Sequence, residues 1–307
     1  MNKTISVVVP VFRNKGSIRI TYEEIKGIFT TLLPGYYYEF VFVNDGSDDG
    51  SLDEILEIHK QDPAQVRVIS FSANFGQMAA VIAGFRKATG DMCVLISADL
   101  QDPPELIAQM VKAGESGEQI VICNRIHRED NFLTTLSSWA FYSVMRLADK
   151  RIPRGGFDFV MMGRKAVNTF NALGERNRFF QGDVLSLGFP AHFIPYSRKK
   201  RTVGMSQWTV SKKLKYFADA LLSITTLPVK LIWLTGTAIT TLGFVYGILS
   251  LCRLADKIPS YGYALLITLI FIIGVVIIIP LAVIAGYLMR HHYESRKRPA
   301  YIIDKEF

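Results

Sequence analysis

Over the first 125 residues short apolar runs alternate with stretches of helical period. The runs Ile5–Val9, Glu39–Asn44, Val66–Ser70, Cys93–Ile96 and Ile120–Cys123 are largely apolar on both faces, as strands buried between layers of helices are. Helical periodicity fills the gaps at about Ile18–Thr31, Leu52–Gln61, Gln77–Thr89 and Pro104–Ala113. The resulting order, β-α-β-α-β-α-β-α-β, predicts an α/β, doubly wound, Rossmann-like sheet that binds a nucleotide. Ligands of such sheets bind beyond the carboxyl ends of the strands. The residues expected there are Pro10–Phe12, Asp45–Ser51, Asn74–Gln77, Asp99–Pro104 and Asn124–Arg128.

Toward the C-terminus the pattern changes. Leu231–Leu251 and Tyr263–Met289 contain no charged side chain, and each reaches the roughly 20 residues that a bilayer-spanning helix requires. Pro280 is tolerated in such a helix when neighbours satisfy the freed carbonyl. The short link Cys252–Gly262 makes the two spans a hairpin. Its outer flanks are basic, with Arg290, Arg296, Lys297 and Arg298 on one side and a cluster from Arg198 onward on the other, so the positive-inside rule puts both ends in the cytoplasm. Ahead of the first span, Leu214, Phe217, Ala218, Leu221, Leu222 and Thr225 recur at helical spacing behind Lys212, Lys213 and Lys215. That suits an amphipathic helix lying in the interface of an anionic membrane, with a core helix as the alternative. The expected division is a catalytic body over 1–195, a basic juxtamembrane segment over 196–228, a transmembrane hairpin over 229–290 and a basic cytoplasmic tail over 291–307. No secretory signal is read at the start, because Ile5–Val9 is too short.

Composition sharpens the membrane reading. Half of the 307 residues are hydrophobic and the mean hydropathy is +0.23, above the range usual for a soluble domain. The net charge of +8 is confined to a band: residues 1–192 hold 20 Lys/Arg against 22 Asp/Glu, 193–230 hold 8 against 1, and 231–307 hold 7 against 4. A band this narrow argues against nucleic acid as a partner and for a membrane surface. Cys93, Cys123 and Cys252 sit in apolar surroundings without metal-ligand spacing, which reads as reduced thiols.

Glycine-rich phosphate cradles and the H-E-x-x-H zinc motif are absent, so a nucleotide has to be held in another way. Asn44-Asp45-Gly46-Ser47-Asp48-Asp49-Gly50-Ser51 follows a buried strand and opens a helix. It begins like a calcium loop, but Leu56 stands where the bidentate Glu belongs. Asp49 and Ser51 are expected to cap the helix in part, whereas Asp45, one residue past the strand, can accept hydrogen bonds from a base or ribose. The second constellation, Ser97-Ala98-Asp99-Leu100-Gln101-Asp102-Pro103-Pro104-Glu105, puts hard oxygen ligands at the mouth of the sheet, suited to Mg2+ or Mn2+ with a diphosphate. For Asp102 the strong alternative is to cap the helix that Pro103-Pro104 begins; for Asp99 it is a weak one.

Together with Val8-Val9-Pro10-Val11-Phe12, Asn74-Phe75-Gly76-Gln77 and Phe157-Asp158-Phe159, these motifs resemble the family 2 glycosyltransferases with a GT-A fold. More narrowly they are similar to the polyprenyl-phosphate glycosyltransferases, such as bactoprenol glucosyltransferases and the aminoarabinose transferase of lipid A modification, and more distantly to dolichol-phosphate mannose synthases. The resemblance runs over nearly the whole chain. It implies inverting transfer of a sugar, UDP-linked, to the phosphate of a membrane polyprenol such as undecaprenyl phosphate, by a multi-pass protein of the bacterial plasma membrane that forms a homo-oligomer. It implies that Pro10 and Asp45 hold base and ribose, that Asp99 and Gln101 sit at the metal and diphosphate, and that Asp158 lies by the reacting groups. It also implies that Arg198, Arg201 and Ser206 meet phosphates; Arg125 and Arg128, just beyond the fifth strand, are second candidates for the same work by their position, with a solvated surface charge as the alternative for each arginine. Two positions depart from the family pattern: Ser97 replaces an Asp at the metal motif, and Gln207 replaces a Lys.

A polyprenyl phosphate is already an anion and needs no strong base, so Asp158 is expected to orient rather than to take a proton. Two other functions stay open on sequence alone. A processive polysaccharide synthase would carry Gln-x-x-Arg-Trp, which Arg176-Asn-Arg-Phe-Phe-Gln181 does not match, and a lipid-binding scaffold would be a decayed version of the same site.

Overall fold

A computed structural model describes residues 3–99, 101–128, 141–147, 149–174, 178–198, 229, 231–232, 234–238, 241, 262–296 and 299–307. Its elements are β1 (Thr4–Val11), α1 (Ile18–Thr31), β2 (Tyr37–Asn44), α2 (Ser51–Gln61), β3 (Val66–Phe71), α3 (Gln77–Lys87), β4 (Met92–Leu95), α4 (Leu106–Glu115), β5 (Ile120–Arg128), β6 (Phe159–Gly163), α5 (Arg164–Ala172), α6 (Phe180–Ser186), β7 (Ala191–Arg198), α7 (Gly262–Ser295) and β8 (Ile303–Glu306). The five expected strands and four expected helices all form. α4 begins at Leu106 rather than Pro104, because the carbonyls of Pro103 and Pro104 accept from Leu106 and Ile107 in the turn that precedes it.

The sheet has eight strands in the order β7-β5-β6-β4-β1-β2-β3-β8. β4, β1, β2 and β3 are mutually parallel, as the alternation predicts. Beyond them the sheet is mixed, a correction to the doubly wound parallel expectation. β6 enters antiparallel between β4 and β5, β7 runs parallel to β5, and β8 closes the far edge antiparallel to β3. The last of these places Ile303–Glu306, expected within a basic cytoplasmic tail, in the sheet instead.

Burial follows the alternation along each strand. Ile5, Val7, Val9, Phe40 and Phe42 pack under Ile18, Tyr22, Ile25 and Phe29 of α1 and Ile55 and Ile58 of α2, while α3 and α5 cover the opposite face. Each such side chain taken out of water contributes about 1.5–3 kcal/mol. Pro10 fits a central strand for a specific reason. Like Val8 its backbone faces β4, and that ladder ends at Val8↔Leu95, so its missing N–H costs no bond.

The chain divides into two compact units, Met1–Ala220 with Pro299–Phe307, and Leu221–Arg298. In the second unit, α7 contains the whole of the expected second span, Tyr263–Met289. Counted over the described residues alone, no helix is long and apolar enough to cross a membrane. Most of Leu231–Leu251, the amphipathic segment from Ser211, and Lys199, Lys200, Lys212, Lys213 and Lys215 lie outside the described residues.

Candidate active site

Strand direction gathers the chemistry. The carboxyl ends of β1, β2, β4, β5 and β7 and the amino end of antiparallel β6 share one edge of the sheet, bringing Pro10, Asp45, Ser97–Asp102, Arg125, Asp158 and Tyr196–Arg198 to the same rim.

At the β2 end, Gly46 has φ +64, and a Cβ there would lie 2.5 Å from the Ala73 carbonyl carbon, so only glycine lets the loop after β2 touch the loop after β3. Asp45, 2% exposed, uses that contact. Its Oδ1 accepts from the Phe75 N–H at 2.6 Å, and its Oδ2 accepts from the Gly76 N–H at 2.9 Å and from Asn74 Nδ2 at 3.1 Å. A carboxylate has about four acceptor positions, so roughly one is left for a ligand. Burial lifts the Asp45 carboxyl to about 6, against the pull of the Phe75 and Gly76 N–H groups. The N-cap of α2 is Gly50, and Asp49 just before it accepts from the Ser51 N–H at 3.0 Å and the Ser51 hydroxyl at 2.6 Å, which satisfies the first backbone donor of the helix.

At the β4 end, the Ser97 hydroxyl sits 2.6 Å from Asp99 Oδ1 and 3.0 Å from Asp102 Oδ2, and the Gln101 N–H donates to Asp99 Oδ1 at 3.3 Å. Ser17 Oγ donates to the Ala98 carbonyl at 2.6 Å and pins this loop to the start of α1. Arg198 faces both carboxylates, with Nη2 4.0 Å from Asp99 and Nε 3.6 Å from Asp102, an attraction of charge rather than a hydrogen bond. Asp102 does not cap α4, so the capping alternative is set aside. Its side chain is buried and accepts from the Tyr196 hydroxyl. No group of three or more His, Cys, Asp or Glu comes together among the described residues. The Asp99 carboxylate and the Ser97 hydroxyl beside it are hard oxygen, as is the amide oxygen that Gln101 carries two residues on, and such donors fit Mg2+ or Mn2+ completed by phosphate and water.

The β5 end carries Arg125, whose guanidinium is 3% exposed. Its Nη2 donates to Asp158 Oδ2 at 2.5 Å and its Nε to the Tyr196 hydroxyl at 3.3 Å. Burial works against the charge, but Asp158, Asp102 and Tyr196 outweigh it and hold Arg125 protonated well above its ordinary range. Burial and then Asp102 push the Tyr196 hydroxyl up, so it stays a donor. Gly155 permits this pairing, because a Cβ there would lie 1.9 Å from the Arg125 carbonyl oxygen. A continuous polar path thus runs Asp158–Arg125–Tyr196–Asp102–Ser97–Asp99.

Of the residues singled out in the sequence, Asp99, Gln101, Arg198, Arg125 and Asp158 are joined through this path, while Asp45 is tied to the loop after β3. Arg128 stands opposite Arg198 in the β5–β7 register, with its side chain outside the described residues; Arg201 and Ser206 are outside them as well. Tyr196 was not foreseen. Its signal was the alternation Ile194, Tyr196, Arg198 on one face of β7, visible only once that stretch is read as a strand.

The sequence profile of glycosyl transferase family 2 matches residues 6–200 of this chain. The chain belongs to glycosyl transferase family 2. It is 33% identical over 305 residues to an uncharacterized glycosyltransferase, YkcC, of Bacillus subtilis, covering 98% of this chain and 94% of the relative. It is 32% identical over 305 residues to the bactoprenol glucosyl transferase of Shigella phage SfV, covering 98% of each. Among solved structures, glucosyl-3-phosphoglycerate synthase of Mycobacterium tuberculosis, in complex with Mn2+, uridine diphosphate and phosphoglyceric acid, superposes with a TM-score of 0.50 at 18% identity, over 72% of this chain and 76% of that one. The fold is therefore that of the GT-A glycosyltransferases, and this chain is a glycosyltransferase.

Asp45→Ala is expected to raise the donor KM about tenfold with kcat little changed, since contacts to the nucleotide are made alike in ground and transition states. Wild-type nucleotide affinity is expected to fall as pH drops below about 6, where Asp45 takes up its proton. Nucleotide titrations of both proteins at several pH values measure this; affinity indifferent to pH and to the substitution leaves Asp45 with loop holding alone. The stability sign is the reverse of an ordinary salt-bridged Asp. Between pH 3.8 and about 6 the folded chain keeps a proton that the unfolded chain has released, so this site's contribution declines as pH rises through that window.

Proposed function

We propose that this glycosyltransferase moves a sugar from a UDP-linked donor to undecaprenyl phosphate, with inversion at the anomeric carbon, at the cytoplasmic face of the bacterial plasma membrane, making a lipid-linked sugar for cell-envelope glycans. One observation carries the acceptor: the same chain joins a sugar-transfer site to a 34-residue helix with no Asp, Glu, Lys or Arg between Gly262 and Met289. Read from the sequence, the uncharged stretch Tyr263–Met289 has the roughly 20 residues that a bilayer-spanning helix requires. Ile270, Ile273, Ile277, Ile278, Leu281 and Ile284 are exposed along it, a run of apolar surface that water does not favour. The full-length likeness to a bactoprenol glucosyl transferase supports the same acceptor.

The chemistry asks little of a base. A polyprenyl phosphate attacks as an anion, so Asp158 serves by fixing the Arg125 guanidinium beside the reacting centre, not by accepting a proton. Asp99 and Gln101 would hold a divalent cation, Mg2+ or Mn2+, which when bound offsets the charge developing on the leaving diphosphate. Arg198 lies 4.0 Å from Asp99, and by the family resemblance Arg201 and Arg128 add positive charge, and Ser206 a hydroxyl donor, for the phosphates of two anions that must meet. Pro10 and Asp45 hold the nucleoside. Lys212, Lys213 and Lys215, close together in the sequence ahead of the first apolar stretch, give an anionic membrane a cluster of charge to attract, which makes the membrane itself a partner in this reading.

The test offers a panel of radiolabelled UDP- and GDP-sugars to membranes containing the protein, with and without added undecaprenyl phosphate. Label from one UDP-sugar is expected in an organic-extractable lipid, only when the acceptor is present. Label accumulating in polymer points to a processive synthase, and no transfer from any donor points to a scaffold.

A further inference from the structure

β8 is an odd strand to retain at the edge of a catalytic sheet. Ile303-Asp304-Lys305-Glu306 offers almost no apolar face, and three of its four residues are exposed. Its ladder nevertheless runs past β3 into the loop that follows. Ile69 pairs with Glu306, Ser70 with Lys305 and Phe71 with Ile303, and the Ser72 N–H donates to the Ile302 carbonyl at 3.1 Å. Lys87 holds Glu306 at 2.7 Å from the end of α3.

Just ahead of β8, the Tyr301 ring stacks on Phe71, with centroids 4.9 Å apart and planes 14° apart, and Phe71 meets Phe75 edge-on at 5.8 Å. The Arg86 guanidinium lies 6.0 Å from the Tyr301 ring centroid, with Nη1 3.4 Å from its hydroxyl. Ser72 through Phe75 are otherwise exposed. This loop supplies the Phe75 and Gly76 N–H groups that grip Asp45. The aromatic column Tyr301–Phe71–Phe75 therefore ends on the residue whose own amide meets the donor carboxylate.

We propose that Tyr301 and β8 are positioning elements of the donor site, a clamp from the end of the chain that pre-orders the 72–76 loop for the nucleotide. The proposal rests on Asp45 being part of the donor site, as argued above. A loop ordered before binding does not lose its freedom on binding, so the clamp acts on donor affinity and leaves the transfer step alone.

The experiment titrates the full-length protein in detergent with UDP, or with GDP if UDP does not bind the wild type, and measures transfer kinetics beside it. Tyr301→Ala is expected to weaken nucleotide binding and raise donor KM about three- to tenfold, the range that one aromatic stack spans, with kcat at saturating donor within about twofold. Tyr301→Phe, which keeps the stack, is expected to restore wild-type affinity. Amide hydrogen exchange in Tyr301→Ala is expected to accelerate over 72–76 and to stay unchanged over β1. Should Tyr301→Ala not fold, Arg86→Ala removes the guanidinium from the ring and is read the same way, with an effect of about twofold. Wild-type affinity together with unchanged exchange at 72–76 overturns the clamp. Asp45→Ala run in parallel separates the two claims: if it too binds nucleotide normally, the donor reading itself falls, and if it alone is weakened, only the clamp falls.

Discussion

Asp99→Asn is expected to cost sugar transfer about a thousandfold or more, with the fold intact, the loss seen when a group aimed at developing charge is removed. The side chain is 6% exposed and stands between the Ser97 hydroxyl and Arg198, so an amide of the same shape fits the space. What it cannot do is bind a hard cation well or balance Arg198. Transfer measured across a Mn2+ titration, next to a melting curve, separates lost chemistry from lost fold. Full activity of the variant in the presence of a chelator would remove Asp99 from the metal site. The structure also alters what is expected of Ser97→Asp, which the family pattern alone would call harmless. Ser97 lies within hydrogen-bond reach of both Asp99 and Asp102, so a third carboxylate there repels two others unless a cation sits among them. Its melting temperature is expected to drop without divalent cation and to recover with it.

The second large effect concerns the pair Arg125–Asp158, and it is asymmetric. Both Arg125→Met and Asp158→Ala are expected to lower kcat by about a hundredfold or more, because each removes a charge from the reacting centre. Their stabilities should differ. Asp158 is 40% exposed on its own, so removing Arg125 leaves a carboxylate that water can still reach, at a cost of about 1 kcal/mol. Removing Asp158 instead strands a guanidinium that is 3% exposed and cannot shed its proton. The usual 3–5 kcal/mol for an orphaned buried charge is softened by nearby Asp102, giving about 2–3 kcal/mol. Denaturant unfolding of the two variants measures the difference; equal stabilities would mean that the pair is solvated throughout.

The parts of the molecule legible in the sequence are those where periodicity and burial agree. The helix at Ile18–Thr31 coincides with its prediction to the residue, because Ile18, Tyr22, Ile25 and Phe29 mark one face. The strands that escaped notice lack such agreement. Phe159–Gly163 is a five-residue apolar run that a helix could equally contain, Ala191–Arg198 includes Pro195, which only an edge strand tolerates, and Ile303–Glu306 reads as a charged tail. The site shows the same division. Asp99, Arg125, Asp158 and Arg198 stand in motifs, whereas Tyr196 and the buried role of Asp102 emerge only when β7 is laid beside β5. Sequence spacing could propose a cap for Asp102 but had no means of bringing a hydroxyl from a residue 94 positions away.

The pairing of β8 with β3 also sets a timetable for synthesis. Phe71 and Ile303 are some 230 positions apart, and at about 5–20 residues per second the ribosome needs roughly ten to fifty seconds to deliver the partner strand. Throughout that interval the nascent sheet presents Val66–Phe71 as a bare edge able to recruit any passing strand. These late-translated residues thus cover the β3 edge against stray pairing, and a ribosome that stalls in the apolar helix releases a protein with that border still open.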